Sequence, residues 1–149
     1  MYFICSVCKK DLKELPRPLG LCECGKPLEV HYSWENQQRS IDINDDEATL
    51  WRYKNVLPEV KNFVSLGEGH TPLIPIGENL FLKDETVNPT GSFKDRGMAL
   101  AITMAKVQGV QQICLPSAGN AGISASAYCK EADIECHVFL PETIPDEFK

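Results

Sequence analysis

Lys94 is the residue of this chain whose type and position most clearly suggest covalent chemistry. It belongs to the run Asn88–Arg96, which follows a strand-like segment at Leu80–Asp84 and leads into a helical pattern. The positive end of a helix and the charge on Arg96 both favour a neutral lysine amine, the form that attacks a carbonyl to make an imine. The sequence therefore predicts an imine-forming lysine. The alternative is an ordinary turn that enters a helix, with Ser92 as its N-cap.

A second loop has the composition of an anion-binding site. The strand-like segment Ile113–Pro116 is followed by Ser117-Ala118-Gly119-Asn120-Ala121-Gly122 and then by a helical pattern. Gly119 and Gly122 would let backbone N–H groups approach a ligand, and the N-terminus of a helix attracts anions. The loop therefore predicts a place for an anionic group, although small residues before a helix usually serve packing alone.

Four of the seven cysteines have the spacing of metal ligands. Cys5 and Cys8 are separated by two residues and Cys22 and Cys24 by one, with about one hairpin between the pairs. Four thiolates in this arrangement predict a zinc ribbon with a structural Zn²⁺, in a segment too short to bury a core of its own. Disulfides and a ribbon without metal are the alternatives. The other cysteines are expected to be buried small apolar residues: Cys114, Cys129 and Cys136.

The composition argues against several classes of protein. The chain has 149 residues, of which 43% are hydrophobic, and a formal net charge of −6. These values fit one globular domain and argue against nucleic-acid binding. No run approaches the roughly 20 apolar residues that span a membrane, and the apolar start is too short for a signal peptide. We therefore expect a cytoplasmic protein that binds neither nucleic acid nor a membrane.

The elements that would position the two loops form an α/β arrangement. From Leu80 onward, strand-like and helical patterns alternate, which is typical of a parallel sheet with right-handed crossovers. Both loops leave the carboxyl ends of strands, where open α/β sheets bind ligands. After the first strand, the predicted elements are a helix at about 92–108, a strand at 111–115, a helix at 120–131 and a strand at 134–140.

The chain is expected to contain three segments. Residues 1–30 form the ribbon, residues 31–65 form a polar connector, and residues 66–149 form the α/β domain. The connector is predicted to hold one helix at about Asp45–Leu57, because acidic residues could cap its start and a proline follows its end.

The two loops resemble those of the fold-type II pyridoxal 5'-phosphate enzymes, whose fold is similar to that of the tryptophan synthase β subunit. The segment Leu66-Gly67-Glu68-Gly69-His70-Thr71-Pro72-Leu73 is also similar to the segment that opens the domain in this group. The resemblance implies that Lys94 holds pyridoxal 5'-phosphate as an imine and that Asn120 hydrogen-bonds the 3'-oxygen of the cofactor. It also implies that the second loop binds the carboxylate of an amino-acid substrate, at Ser117, Ala118, Gly119, Asn120 and Ala121.

The cysteine-rich start narrows the resemblance to the threonine synthases. These enzymes often carry an N-terminal ribbon with the ending C-x-C-G-x-P-L-E-V, found here at Cys22–Val30. The resemblance implies conversion of O-phospho-L-homoserine and water to L-threonine and phosphate. Ala118 and Ala121 depart from the pattern, because many threonine synthases have hydroxyl residues there. A cysteate synthase-like or threonine dehydratase-like enzyme is therefore an alternative, and so is a non-catalytic zinc-ribbon interaction module.

The enzymes that this chain resembles are much longer than it is. We therefore expect the 149 residues to be an N-terminal fragment that lacks the glycine-rich loop holding the cofactor phosphate. Alone, the chain is expected to be inactive and to bind the cofactor weakly or not at all. It is also expected to form a homo-oligomer or to associate with the missing C-terminal part, because its last strand would present an unpaired edge.

Overall fold

The computed structural model describes residues 2–13, 20–32 and 43–145. The chain divides into two compact units, Met1–Asp42 and Ile43–Lys149. Residues 33–42 of the expected connector lie outside the described residues. Within the described part of the chain, no helix is both long enough and apolar enough to cross a lipid bilayer.

The first unit is a three-stranded antiparallel sheet with cysteine-bearing turns. Strand β1 (Tyr2–Cys5) lies between β2 (Asp11–Leu12) and β3 (Leu28–His31). A sheet this small cannot enclose an apolar core, so the turns must contribute to its stability. Among the described residues of this unit, the buried hydrophobic side chains are Phe3, Cys5 and Cys22.

The second unit contains an antiparallel hairpin where the sequence predicts the first strand of a parallel sheet. β4 (Leu73–Gly77) pairs with β5 (Leu80–Lys83). Among the described residues, β5 does not join the parallel strands that follow it. The predicted strand is in the right place but its expected partner is wrong. The reason is the tight reversal at Asn79, whose φ of 57° lets the chain fold straight back on β4.

A parallel strand pair covered by two helices follows the hairpin. Helix α1 (Lys94–Val107) precedes β6 (Gln112–Pro116), and helix α2 (Asn120–Ala132) connects β6 to β7 (Glu135–Phe139). The two strands pair in parallel, and α2 packs against α1 and both strands. This is the predicted alternation, and each predicted boundary lies within two residues of the observed one. The α/β fold class is therefore confirmed.

The core of the second unit lies between the helices and one face of the parallel strands. Ile113 and Cys136 are neighbours in the strand register and pack against this core from the sheet. The alternation of side chains along a strand places every second residue on this face. The buried members of the core are Val64, Ala99, Ile102, Tyr128, Cys129, Ala132 and Ile134.

The cysteines outside the first unit are not all buried. Cys129 is buried as expected, and Cys136 is half-buried. The expectation for Cys114 is wrong, because its side chain is exposed. Cys114 alternates with Ile113 along β6 and therefore faces away from the core, on the side of the strand pair that no described helix covers.

The predicted helix at Asp45–Leu57 is also wrong. The structure has a single 3-10 turn at Leu50–Tyr53, with Thr49 as its N-cap. The backbone N–H of Leu50 donates a hydrogen bond to the carbonyl of Glu68, at 2.8 Å. A tertiary contact thus takes the place of helical bonding, and an isolated helix of this length is marginal without such support.

Candidate functional site

Lys94 is the first residue of α1 and directly follows the loop predicted to hold it. Gly91 has a φ of 80°, a conformation that favours glycine, and the Ser92 hydroxyl accepts a hydrogen bond from Lys94 N–H at 3.3 Å. The Lys94 side chain is half-buried, and its Nζ lies 4.2 Å from the ring centroid of Phe93. Among the described residues, this amine has no ion pair or hydrogen bond that would compete with a carbonyl ligand.

Arg96, in the first turn of α1, binds two side chains that precede the helix in sequence. Its guanidinium binds both carboxylate oxygens of Glu85, at 2.7 and 2.8 Å, and the Thr71 hydroxyl at 2.9 Å. The hydrogen bonds from Arg96 lower the pKa of Glu85 to about 2. Arg96 therefore fixes this loop, and its charge is compensated by Glu85 rather than directed at Lys94.

The second candidate loop joins β6 to α2. The Gly122 N–H donates to the Ser117 hydroxyl at 2.9 Å, and the Ser117 N–H donates to the carbonyl of Phe139 on β7. Asn120 is the first residue of α2, and its exposed side chain makes no hydrogen bond among the described residues. The first amides of a helix lack intrahelical acceptors. This end of α2 can therefore bind an anionic group.

The two glycines of this loop have different surroundings. A Cβ on Gly122 would lie 3.0 Å from Val138 Cγ1 and 3.2 Å from the carbonyl oxygen of Ser117. Gly122 therefore permits the close packing of α2 against β7. A Cβ on Gly119 would meet no atom within 4 Å, so the open space beside the loop lies at Gly119 rather than at Gly122.

A buried carboxylate connects the two candidate loops. Asp95 is fully buried next to Lys94, and it accepts hydrogen bonds from the N–H and hydroxyl of Thr90 and from the Ser124 hydroxyl. Ser124 lies about one helical turn after Asn120 on α2. The structure thus places the starts of α1 and α2, which carry Lys94 and Asn120, at the same end of the packed helix pair.

A second buried carboxylate holds the segment before the hairpin. Glu68 is fully buried and accepts hydrogen bonds from Leu66 N–H and from the Tyr128 hydroxyl, at 3.0 and 2.7 Å. Burial, and then the contact with Glu68, raise the pKa of Tyr128 well above its usual range, so its hydroxyl remains a donor. A Cβ on Gly69 would lie 2.8 Å from the nitrogen of Leu50, which explains the glycine beside Glu68.

The predicted metal ligands come together in the first unit. The Cys5 and Cys24 sulfur atoms lie 3.5 Å apart, and so do those of Cys8 and Cys22. All four sulfur atoms lie within 4.8 Å of one another. Thiolates at about 2.3 Å from a tetrahedral zinc ion are separated by about 3.8 Å, so the cluster has the dimensions of a metal site.

Backbone amides favour ionisation of one thiol in this cluster. The N–H groups of Val7 and Cys8 point toward the Cys5 sulfur and lower the pKa of Cys5 to about 6. The hydrogen bond shared with Cys5 raises the pKa of Cys24 to about 12. Cation binding at the cluster would therefore release protons, as thiolate ligation requires.

A family model matches the second unit of the chain. The model, described as "Pyridoxal-phosphate dependent enzyme", matches residues 64–149. The matched range includes Lys94, the loop around Asn120 and both buried carboxylates, Glu68 and Asp95.

Several curated proteins are similar to this chain, and the alignment of one of them extends into the first unit. A threonine synthase of Methanocaldococcus jannaschii is 37% identical over 153 residues, which cover 93% of this chain and 37% of the relative. Threonine synthases of Halalkalibacterium halodurans and Synechocystis sp. are 44% and 40% identical, over 62% and 64% of this chain and 29% of each relative. The chain thus spans about a third of the length of these curated relatives.

Proposed function

The chain belongs to the pyridoxal-phosphate dependent enzyme family, and we propose that Lys94 holds the cofactor. Its half-buried amine lacks an ion pair among the described residues, and it lies at the same end of the helix pair as Asn120. When bound, pyridoxal 5'-phosphate supplies an electron sink for carbanion chemistry. Lys94 would attach it through its amine, and the exposed Asn120 amide would hydrogen-bond its 3'-oxygen.

The proposed reaction of the whole protein is the conversion of O-phospho-L-homoserine and water to L-threonine and phosphate. The observation that carries this proposal is the relative named threonine synthase whose alignment covers 93% of the chain, the cysteine-bearing unit included. Lys94, once released from the cofactor by the incoming amino acid, would carry protons to and from Cα and Cβ of the substrate. The residues proposed to surround the substrate carboxylate are Ser117, Ala118, Gly119, Asn120 and Ala121.

Substitution of Lys94 tests this proposal in the whole protein. Lys94→Ala should abolish borohydride trapping of the cofactor and lower phosphate release by several orders of magnitude, as expected when a covalent catalyst is lost. The matched control is Lys106→Ala, which removes an exposed lysine from the same helix and should retain both properties. Full turnover in Lys94→Ala would refute the proposed role.

A phosphoserine-dependent enzyme of the cysteate synthase kind is the second candidate. Ala118 is exposed and Ala121 is half-buried in the loop proposed to hold the substrate. Because both residues are alanines, neither offers the substrate a side-chain hydroxyl. A substrate panel with phosphohomoserine, phosphoserine plus sulfite, threonine and serine separates the candidates. Preference for phosphoserine plus sulfite would move the assignment to this second candidate.

Zn²⁺ is the metal that we propose for the four-cysteine cluster. Four thiolates in a closed tetrahedral arrangement are typical of structural zinc sites. Outside the cluster, the described residues of the unit bury one apolar side chain, Phe3. Elemental analysis of untagged protein should find one zinc ion per chain. Cys114→Ser is the control for any substitution within the cluster. Cys114 is an exposed thiol outside the cluster, so its loss should leave the zinc content unchanged.

We propose that another polypeptide segment covers the surface of the β4–β5 hairpin. Every residue of both strands is exposed, and apolar side chains lie on both faces, a pattern typical of a strand inside a larger sheet. We propose that the covering segment belongs to the whole protein, and light scattering of the whole protein would reveal a homo-oligomer instead.

All seven cysteines are free, which suits the reducing cytoplasm as the proposed location.

A further inference from the structure

Asp95 is a buried carboxylate whose partners are all neutral. It accepts hydrogen bonds from Thr90 N–H at 2.7 Å, from the Thr90 hydroxyl and from the Ser124 hydroxyl at 2.6 Å. Among the described residues it forms no ion pair. Because a buried carboxylate is stable only when its oxygens are bonded, the two hydroxyl groups and the amide are held firmly around it.

The position of this carboxylate relates it to the candidate site. Asp95 follows Lys94 in the first turn of α1, and Thr90 lies in the loop that leads to Lys94. Ser124 lies on α2, about 6 Å along the helix axis from Asn120. The bond between Ser124 and Asp95 is therefore a short connection from the cofactor lysine to the helix turn that carries Asn120.

We infer that Asp95 is a positioning residue, which acts through Ser124 to hold Asn120 at the correct distance from Lys94. The inference rests on the proposed function, in which Lys94 and Asn120 bind the same cofactor. Asp95 does not touch the cofactor in this role. The Thr90 bonds fix the carboxylate relative to the Lys94 loop, and the Ser124 bond transmits that position to the start of α2.

A second anchor on α2 makes the inference testable without unfolding the protein. Tyr128 lies one turn after Ser124 on α2 and donates to the buried carboxylate of Glu68 at 2.7 Å. The middle of α2 is also packed in the apolar core. Loss of the Ser124 hydroxyl should therefore free only the first turn of α2, where Asn120 lies, while the rest of the helix stays in place.

The test compares two serine substitutions on α2 in the whole protein. Ser124→Ala removes the link to Asp95. Ser126→Ala instead removes a hydroxyl that donates to the Gly122 carbonyl of the same helix at 2.8 Å, lies 4.0 Å from the Cys136 sulfur and makes no bond to Asp95. We expect Ser124→Ala to weaken pyridoxal 5'-phosphate binding about tenfold, because the first turn of α2 would hold Asn120 in the binding position for only about a tenth of the time. Ser126→Ala should leave the cofactor affinity within about twofold of the parent.

A double-mutant cycle separates positioning from a general loss of stability. If Ser124 acts through Asn120, then Ser124→Ala should cause little further loss of affinity in an Asn120→Ala background, whereas independent effects would add. The measurements are the cofactor affinity and the visible absorbance of the bound cofactor. Ser124→Ala should shift the affinity in the parent background only.

The outcomes distinguish this inference from the proposed function. Borohydride trapping at Lys94 in the parent, with a loss in Ser124→Ala that disappears in the Asn120→Ala background, would support both. Trapping in the parent with additive losses, or with no loss in Ser124→Ala, would overturn the positioning role alone. Absence of trapping at Lys94 in the parent would overturn the proposed function and the positioning role together.

Discussion

The two units of this chain are stabilised in different ways. In the first unit, the buried hydrophobic side chains among the described residues are one phenylalanine and two of the four clustered cysteines. The second unit has a cluster of seven buried residues between its helices and strands, together with two buried carboxylates that are fully hydrogen-bonded. We therefore expect the first unit to gain its stability from the proposed zinc ion, whereas the second gains it from its own packing.

This difference also separates the roles of the two units in the proposed enzyme. The second unit contains Lys94 and Asn120, whose positions depend on the packing of α1 against α2. The described part of the first unit offers a cluster of four thiols that could hold a metal ion, and zinc sites with four thiolate ligands are typically structural rather than catalytic. We therefore expect perturbations of the first unit to change metal content, and perturbations of the second to change cofactor binding and the free energy of unfolding.

Cys5→Ser should have the largest effect and tests the comparison most directly. It removes a buried thiol whose pKa is lowered to about 6 by backbone amides. Zinc binding in small structural sites of this kind contributes about 10–16 kcal/mol. We expect zinc content to fall to near zero and amide protection of β1 and β3 to be lost. Hydrogen exchange read by mass spectrometry should find the protection of α1 and α2 unchanged.

The control for this prediction is Cys114→Ser, which should retain both the metal and the protection of β1 and β3. Retention of zinc and of ordered β1 and β3 in Cys5→Ser would contradict the view that the first unit depends on its metal.

Ile102→Ala should have the next largest effect, and it should act on the second unit alone. Ile102 is 3% exposed and belongs to the apolar core, so truncation leaves a cavity that costs about 2–5 kcal/mol of unfolding free energy. The control is Val107→Ala on the same helix, where the side chain is 57% exposed and the expected change is below about 0.5 kcal/mol. Denaturant unfolding measures both, and a parallel loss of zinc in Ile102→Ala would contradict the separation of the units.

In the second unit, the sequence predicts the positions of the helices and strands better than it predicts the contacts between them. The positions of α1, β6, α2 and β7 follow from local patterns, so the strand–loop–helix context of Lys94 and Asn120 was predictable. The roles of Asp95 and Glu68 were not, because their partners Ser124 and Tyr128 lie 29 and 60 residues away. The glycines on both sides of Glu68 were the local signal that this segment makes a close tertiary contact.

The errors have the same origin. The expected helix at Asp45–Leu57 is replaced by a short turn because Leu50 bonds to Glu68, a residue that no local pattern links to it. Cys114 was expected to be buried because it lies in an apolar run. It is exposed because no described element covers the face of β6 on which it lies. In the first unit, spacing alone predicted the cluster because turns with paired cysteines are local structures.

Glu85→Gln should have a smaller effect that depends on pH. The hydrogen bonds from Arg96 lower the pKa of Glu85 to about 2 from the usual 4.5. A carboxyl whose pKa is lower in the folded state stabilises the fold above its unfolded pKa, and this contribution is lost as the pH falls toward about 2. The side chain is 24% exposed, so screening by solvent reduces the expected difference between parent and variant to about 1 kcal/mol at pH 7.

The matched substitution in the first unit is Glu23→Gln. Glu23 pairs with Lys10 at 2.7 Å, but its side chain is 79% exposed, and exposed ion pairs contribute little to stability. Denaturant unfolding at pH 7 and at pH 3 should show a difference for Glu85→Gln that shrinks at the lower pH, and none for Glu23→Gln. A difference that grows on acidification would refute the assignment of the lowered pKa to Glu85.

The smallest predicted effect applies one backbone change to both units. Lys9 in the first unit and Asp133 in the second have nearly the same left-handed conformation, with φ of 59° and 58°. Glycine adopts this conformation without steric strain, although it also raises the entropy of the unfolded chain. Asp133→Gly at the end of α2 should therefore increase the unfolding free energy of the second unit by about 0.5 kcal/mol. Lys9→Gly should instead tighten zinc binding by about twofold in chelator competition, because folding of the first unit would be coupled to the proposed zinc ion. An increase in the unfolding free energy of the second unit in Lys9→Gly, or a change in chelator competition in Asp133→Gly, would show that the two units are not independently stabilised.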